Sequence, residues 1–125
     1  MLFFGLAASA QLEVTVSPVK ITGQKAVVPL AFKNNFTNTV QSARAVCFLL
    51  DSQGKLIGQS TKWVIGQNKT TLEPKQETTF SFVITSPQPF VTTNLTAKIS
   101  FSRLVLENGQ AANVNKAVSI TTRIP

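Results

Sequence analysis

Apolar and polar residues alternate along most of this chain with a period of two, the spacing that puts every second side chain on one face of a strand. Leu12, Val14 and Val16 alternate with Glu13, Thr15 and Ser17 until Pro18 breaks the run. Val19 and Ile21 continue it beyond the break, and Thr22-Gly23-Gln24 makes a turn. Val28, Leu30 and Phe32 define the inward face of a second strand. Pro29 points away from that face and lacks a ladder donor, which predicts a place near an edge or a bulge. A polar connection, Asn34 to Thr39, leads to the stretch around which the rest is organised.

That stretch, Ser42 to Lys55, is a long apolar strand running into Asp51-Ser52-Gln53-Gly54. Asp at the first position and Gly at the last suit a type I turn. Apolar residues occupy both parities of the strand, which predicts a central position. Two readings of its faces stand. If Arg44 faces water, Ala43, Ala45, Cys47 and Leu49 point inward, and Val46, Phe48 and Leu50 form an outward stripe beside Lys98 and Ser100. In the opposite parity the bulky Phe48 points inward and Arg44 lies past the strand end.

The remaining pattern gives a strand over 55–66 kinked at Gly58, a turn at 67–69, an anchor at Leu72 and a turn at Glu73 to Glu77. Phe80, Phe82 and Ile84 mark the inward face of the next strand. Pro87 and Pro89 exclude regular structure after it, with Phe90 plugging one end of the core. Leu95 to Glu107 is a long strand with Ile99 and Phe101 inward and a change of phase at Arg103. Asn108-Gly109 is a strong hairpin signal, so the final strand, Val118 and Ile120 inward, is expected to pair back. The predicted fold is all-β: an antiparallel two-sheet sandwich of about seven strands, immunoglobulin-like, without the Cys–Trp–Cys core of antibody domains.

Three segments carry a likeness. Ala31-Phe32-Lys33-Asn34-Asn35, then Ala45 to Lys55, then Leu72-Glu73-Pro74-Lys75-Gln76-Glu77 before Phe80 resemble the bacterial FxLYD-type domain over residues 26–85. Leu49 and Asp51 match that pattern, while Cys47 stands at its Phe, Leu50 at its Tyr and Lys75 where it prefers Gly. The resemblance implies an envelope-exposed, non-enzymatic β-sandwich.

The first residues add a location. Leu2 to Ala7 is apolar and ends in Ala8-Ser9-Ala10, the small-x-small pattern of a signal-peptidase site, although the run is short and lacks a basic start. Residues 1–10 are therefore read as a signal-peptide remnant and 11–125 as one domain, secreted or periplasmic. The alternative is a hydrophobic N-terminus or first strand. A chain of 125 residues with nine Phe, one Trp and no Tyr can build one core without disulfides. Its single Cys47, in the most apolar strand, reads as a small buried hydrophobe.

Charge and side-chain chemistry exclude more than they assign. The formal net charge is +7, but the cations are scattered singly rather than clustered as nucleic-acid arms or membrane helices require. With no His, no paired carboxylates and no Gly-rich loop before a helix, neither enzymatic activity, a metal nor any other cofactor is expected. Three sequons, at Asn35, Asn68 and Asn94, fall in connections. Two surface candidates remain. The stripe Val46, Phe48 and Leu50 with Lys98 would meet another envelope protein or a second copy of the chain. Trp63 beside Lys62 would stack on a polysaccharide, hold an anionic polymer or anchor a partner. No nucleic acid and no membrane insertion of the mature chain are expected.

Overall fold

Among the described residues the alternation resolves into eight strands in two stacked sheets. A computed structural model describes residues 11–66, 70–91 and 94–123. The expected leader at 1–10 and the turn at 67–69 lie outside them. In chain order the strands are β1 (Leu12–Val16), β2 (Lys20–Thr22), β3 (Lys25–Asn34), β4 (Val40–Leu50), β5 (Leu56–Ile65), β6 (Glu77–Thr85), β7 (Thr96–Leu106) and β8 (Val118–Thr122). β5, β4 and β7 form one sheet; β2, β3, β1, β8 and β6 form the other.

In the larger sheet β6 takes one side of β3 over Lys25 to Lys33, so β1 and β2 must share the other side. Pro29 sits where their registers part, between Val16↔Leu30 and Lys20↔Val27. Its carbonyl accepts from Ser17 N–H at 2.9 Å. Its missing donor therefore faces that gap rather than β6. The strand is central there, not an edge, and the proline removes no bond to β6.

The core lies between the sheets. Leu12, Val14, Val28, Phe32 and Phe82 from one sheet meet Ala43, Ala45, Cys47, Leu49 and Phe101 from the other, all buried. Phe32 meets Phe101 edge-on, with ring centroids 6.3 Å apart and planes at 89°. Each buried Phe contributes roughly 1.5–3 kcal/mol. Small residues on β4 make room for these rings. Gly58 serves the same end on β5, since a Cβ there would come within 2.9 Å of the Ile84 side chain.

The turn after β4 forms as expected. Gly54 N–H donates to the Asp51 carbonyl at 3.0 Å, and Asp51 Oδ1 accepts from the Gln53 and Lys55 amides at 2.9 Å each. The phase change near Arg103 is also present: Arg44 pairs with Arg103 and Ala45 with Phe101, leaving Ser102 as the extra residue of a bulge.

The last strand differs from expectation. Asn108 and Gly109 do take positive φ, 74° and 75°. The returning chain follows β7 only briefly, through Leu106 N–H to the Gln110 carbonyl and Ala112 N–H to the Leu104 carbonyl, both 2.8 Å. A one-turn helix, α1 (Val114–Ala117), then diverts it, with Asn113 accepting from Asn115 N–H at 3.0 Å as its cap. Beyond it β8 pairs with β1, and in parallel, Leu12↔Val118 to Val16↔Thr122. Among the described residues the sandwich is thus antiparallel except for this pair, and it has one strand more than the seven expected because β2 is separate.

Candidate functional site

The register decides which face of β4 is wet. Ala43, Ala45, Cys47 and Leu49 are fully buried, Arg44 is exposed, and Val46, Phe48 and Leu50 lie half-buried on the outer face. Cross-strand pairing fixes their neighbours. Phe48 stands between Gln59 of β5 and Lys98 of β7, Val46 between Thr61 and Ser100, and Leu50 opposite Leu56. Leu56 is 48% exposed and extends the apolar stripe toward the Asp51 turn. Alternation alone gives Leu56 no special place in the strand over 55–66; its signal is the register that a four-residue turn imposes after Leu50.

Arg44 closes the other end of the stripe. Its guanidinium carbon lies 5.5 Å from the centroid of the Trp63 ring, close enough for a cation–π contact. On the opposite side its Nε donates to Ser102 Oγ at 3.0 Å, and that hydroxyl donates to the Arg44 carbonyl at 3.3 Å. One side chain therefore joins β5, β4 and the β7 bulge. Lys62 does not join this face. It pairs with the buried Ala45, so its side chain leaves the sheet on the side opposite to that of Trp63. The two residues grouped by sequence are parted by the pleat.

The electrostatics are one-sided. β4, β5 and β7 contain Arg44, Lys62, Lys98 and Arg103 and no acidic residue. The five carboxylates lie elsewhere. Glu13 and Glu77 belong to the other sheet; Glu13 accepts from Asn35 Nδ2. Glu107 accepts from Thr39 N–H at 2.6 Å. Asp51 is tied to its own turn, where the Lys55 and Gln53 amides hold its carboxyl below the ordinary value of 3.8. Burial pushes the Cys47 thiol up to about 11, so it stays neutral beneath the stripe. No group of three His, Cys, Asp or Glu residues is placed to hold a metal among the described residues.

A second feature lies between the β5 and β6 rims. A half-open trough of about 500 Å³ is lined by Trp63, Phe80, Leu72 and a series of threonines, together with Glu73 and Gln76. Gln76 Oε1 already accepts from Glu73 N–H at 2.8 Å. Of the sequons, Asn35 is half-buried, Asn94 is exposed, and Asn68 lies outside the described residues.

Comparison with known proteins identifies the fold. No family model matches the chain, and no curated protein matches it. Solved structures do. IrmA from Escherichia coli is similar with a TM-score of 0.56 at 10% identity, over 94% of this chain and 96% of that one. A Northeast Structural Genomics Consortium target, SoR45, gives a TM-score of 0.56 at 11% identity, over 82% of this chain and 80% of its own. At such identities the likeness is one of fold alone, an all-β two-sheet sandwich. Among the described residues no helix is long and apolar enough to cross a membrane.

Proposed function

We propose that this chain is an exported, non-enzymatic β-sandwich that acts as a protein-interaction module at the cell envelope. Its contact surface is the outer face of the β5–β4–β7 sheet. The observation that carries the reading is the alignment of Val46, Phe48, Leu50 and Leu56 on that face within a cationic border of Arg44, Lys98 and Arg103. An apolar stripe whose rim is cationic except for Asp51, tied to its own turn at one end, fits an apolar patch rimmed by Asp and Glu on another protein. A second copy fits worse, because a two-fold contact would bring the same cations together. The small-x-small segment Ala8-Ser9-Ala10 supports export. The FxLYD-type resemblance supports the same setting, and Lys75, where that family prefers Gly, has a φ of 70°.

Retention tests the proposal. Wild-type protein should hold a partner from the native envelope that Phe48→Ser and Lys98→Glu release, with both variants melting as cooperatively as wild type. Equal retention by all three overturns it.

The trough favours a second reading, a polysaccharide site with Trp63 and Phe80 as apolar walls and threonine hydroxyls as partners. Arg44 already occupies part of the Trp63 ring surface, which is why this reading comes second. Loss of polysaccharide retention in Trp63→Ala would favour it over the first.

A further inference from the structure

The two sheets differ in width. Across the middle of the sandwich the larger sheet runs β6, β3, β1, β8, while the smaller runs only β5, β4, β7. β8 overhangs as a result. Ile120 pairs with the fully buried Val14 and so points to the core side of its sheet, yet it remains 39% exposed. Thr122, on the same side of the strand, is exposed as well. No described strand of the smaller sheet lies beneath them.

The backbone shows the same vacancy. β7 pairs with β4 along its whole length on one side. On the other, Leu104 and Leu106 bond to the returning chain, and Val105 bridges to Ala111. Below them no described strand pairs with Thr96 to Ser102. Two hollows follow this edge in line, one between Ile99–Phe101 and Val118–Ile120, the other between Leu95–Ala97 and Thr122–Arg123. Among the described residues an unpaired strand edge and an uncovered row of side chains therefore line one slot, about one strand wide and some 20–25 Å long at the usual rise per residue.

We propose that this slot takes an extended segment of a partner protein, added as a fourth strand to β7. Backbone pairing to Thr96 to Ser102 supplies the affinity, and alternate apolar side chains of the segment cover Ile120. The border is cationic: Lys98 lies within the β7 stretch, Lys116 in α1 above and Arg123 at the end of β8. The fitting segment alternates apolar and polar residues and carries acidic residues at its ends. A second β7 is a poor occupant because it would bring a second Lys98 and Arg103 to the same seam with no acidic residue on either strand to offset them. This site shares Lys98 with the border of the outer-face stripe, but its strand edge and Ile120 lie apart from Val46, Phe48, Leu50 and Leu56, and it does not depend on them.

The probe is a synthetic peptide of about nine residues, valines alternating with threonines and an aspartate pair at each end, titrated into the full chain. It should slow exchange of those amides in Thr96 to Ser102 that point away from β4, leaving the free edge of β5 unchanged. Binding should weaken about tenfold or more in Ile120→Asp, the loss expected for one apolar anchor. The peptide N-methylated at alternate residues on its β7-facing edge should not bind. Phe48→Ser should bind it as wild type does, which separates this site from the outer face. Any of three results overturns the proposal: no protection of those amides, equal binding of the N-methylated peptide, or amides already protected before peptide is added. The last would mean that the chain itself or a second copy fills the slot.

Discussion

The side-chain amide of Asn34 donates to the carbonyl of Leu72 at 2.9 Å, binding together residues 38 positions apart in the chain. Asn34 is fully buried, and its polar groups are all engaged. Nδ2 also donates to the Asn38 carbonyl at 3.0 Å, Oδ1 accepts from Phe36 N–H at 2.8 Å, and the backbone bonds to Gln76 and Lys75. One residue thus fastens the 35–38 loop, Leu72 (itself bridged to Val40 of β4) and the 73–77 turn to the end of β3. Asn34→Ala should cost about 2–4 kcal/mol, because it leaves buried carbonyl and amide groups without partners. Urea denaturation measures this directly; a loss below about 1 kcal/mol would show that water replaces the amide.

Asn34 was open to discovery in the sequence. It continues the inward parity of Val28, Leu30 and Phe32, so alternation places a polar side chain in the core. Taking it as the start of a polar connection hides that consequence. The parity of β4 is a different case. Val46, Phe48 and Leu50 are more apolar than Ala43, Ala45 and Cys47, yet the smaller set is buried. Space decides this, since Phe32 and Phe101 from other strands already fill the interior, and no property of β4 alone reveals it. The destination of β8 was hidden for a similar reason. The Asn-Gly turn forms, but α1 intervenes and the partner becomes β1.

Lys75 has a φ of 70°, a left-handed conformation that costs an ordinary side chain about 1–2 kcal/mol. Glycine there removes that cost but adds freedom to the unfolded chain worth about 0.4–1 kcal/mol. Lys75→Gly should therefore stabilise the fold by about 0.5–1 kcal/mol, while Lys75→Val should destabilise it. Melting temperatures of the two variants should move in opposite directions. A shift of the same sign in both would contradict the geometry of the turn.

Asp51 makes the fold sensitive to acid. The Lys55 and Gln53 amides lower its pKa in the folded state relative to the unfolded value near 3.8. Between the two values the unfolded chain binds more protons, so stability rises with pH through that window. The contribution is fully present above the unfolded value and is lost as pH falls through the lowered one. Asp51→Asn keeps an oxygen acceptor in the turn without the charge. Its denaturation midpoint should therefore depend less on pH below about 4 than that of wild type. Parallel acid profiles for the two proteins would show that the bonds at Asp51 do not favour its charged form.

The outer-face account makes one position decisive. A photo-crosslinking phenylalanine analogue placed at Phe48 stands in the middle of the stripe, whereas the same group at Val83 sits exposed on the outer face of the other sheet. Irradiation in the native envelope should give a discrete adduct with another protein from position 48 and none from position 83, and Lys98→Glu should abolish the adduct. An equal yield from both positions, no adduct from position 48, or an adduct only with a second copy of the chain would contradict the account.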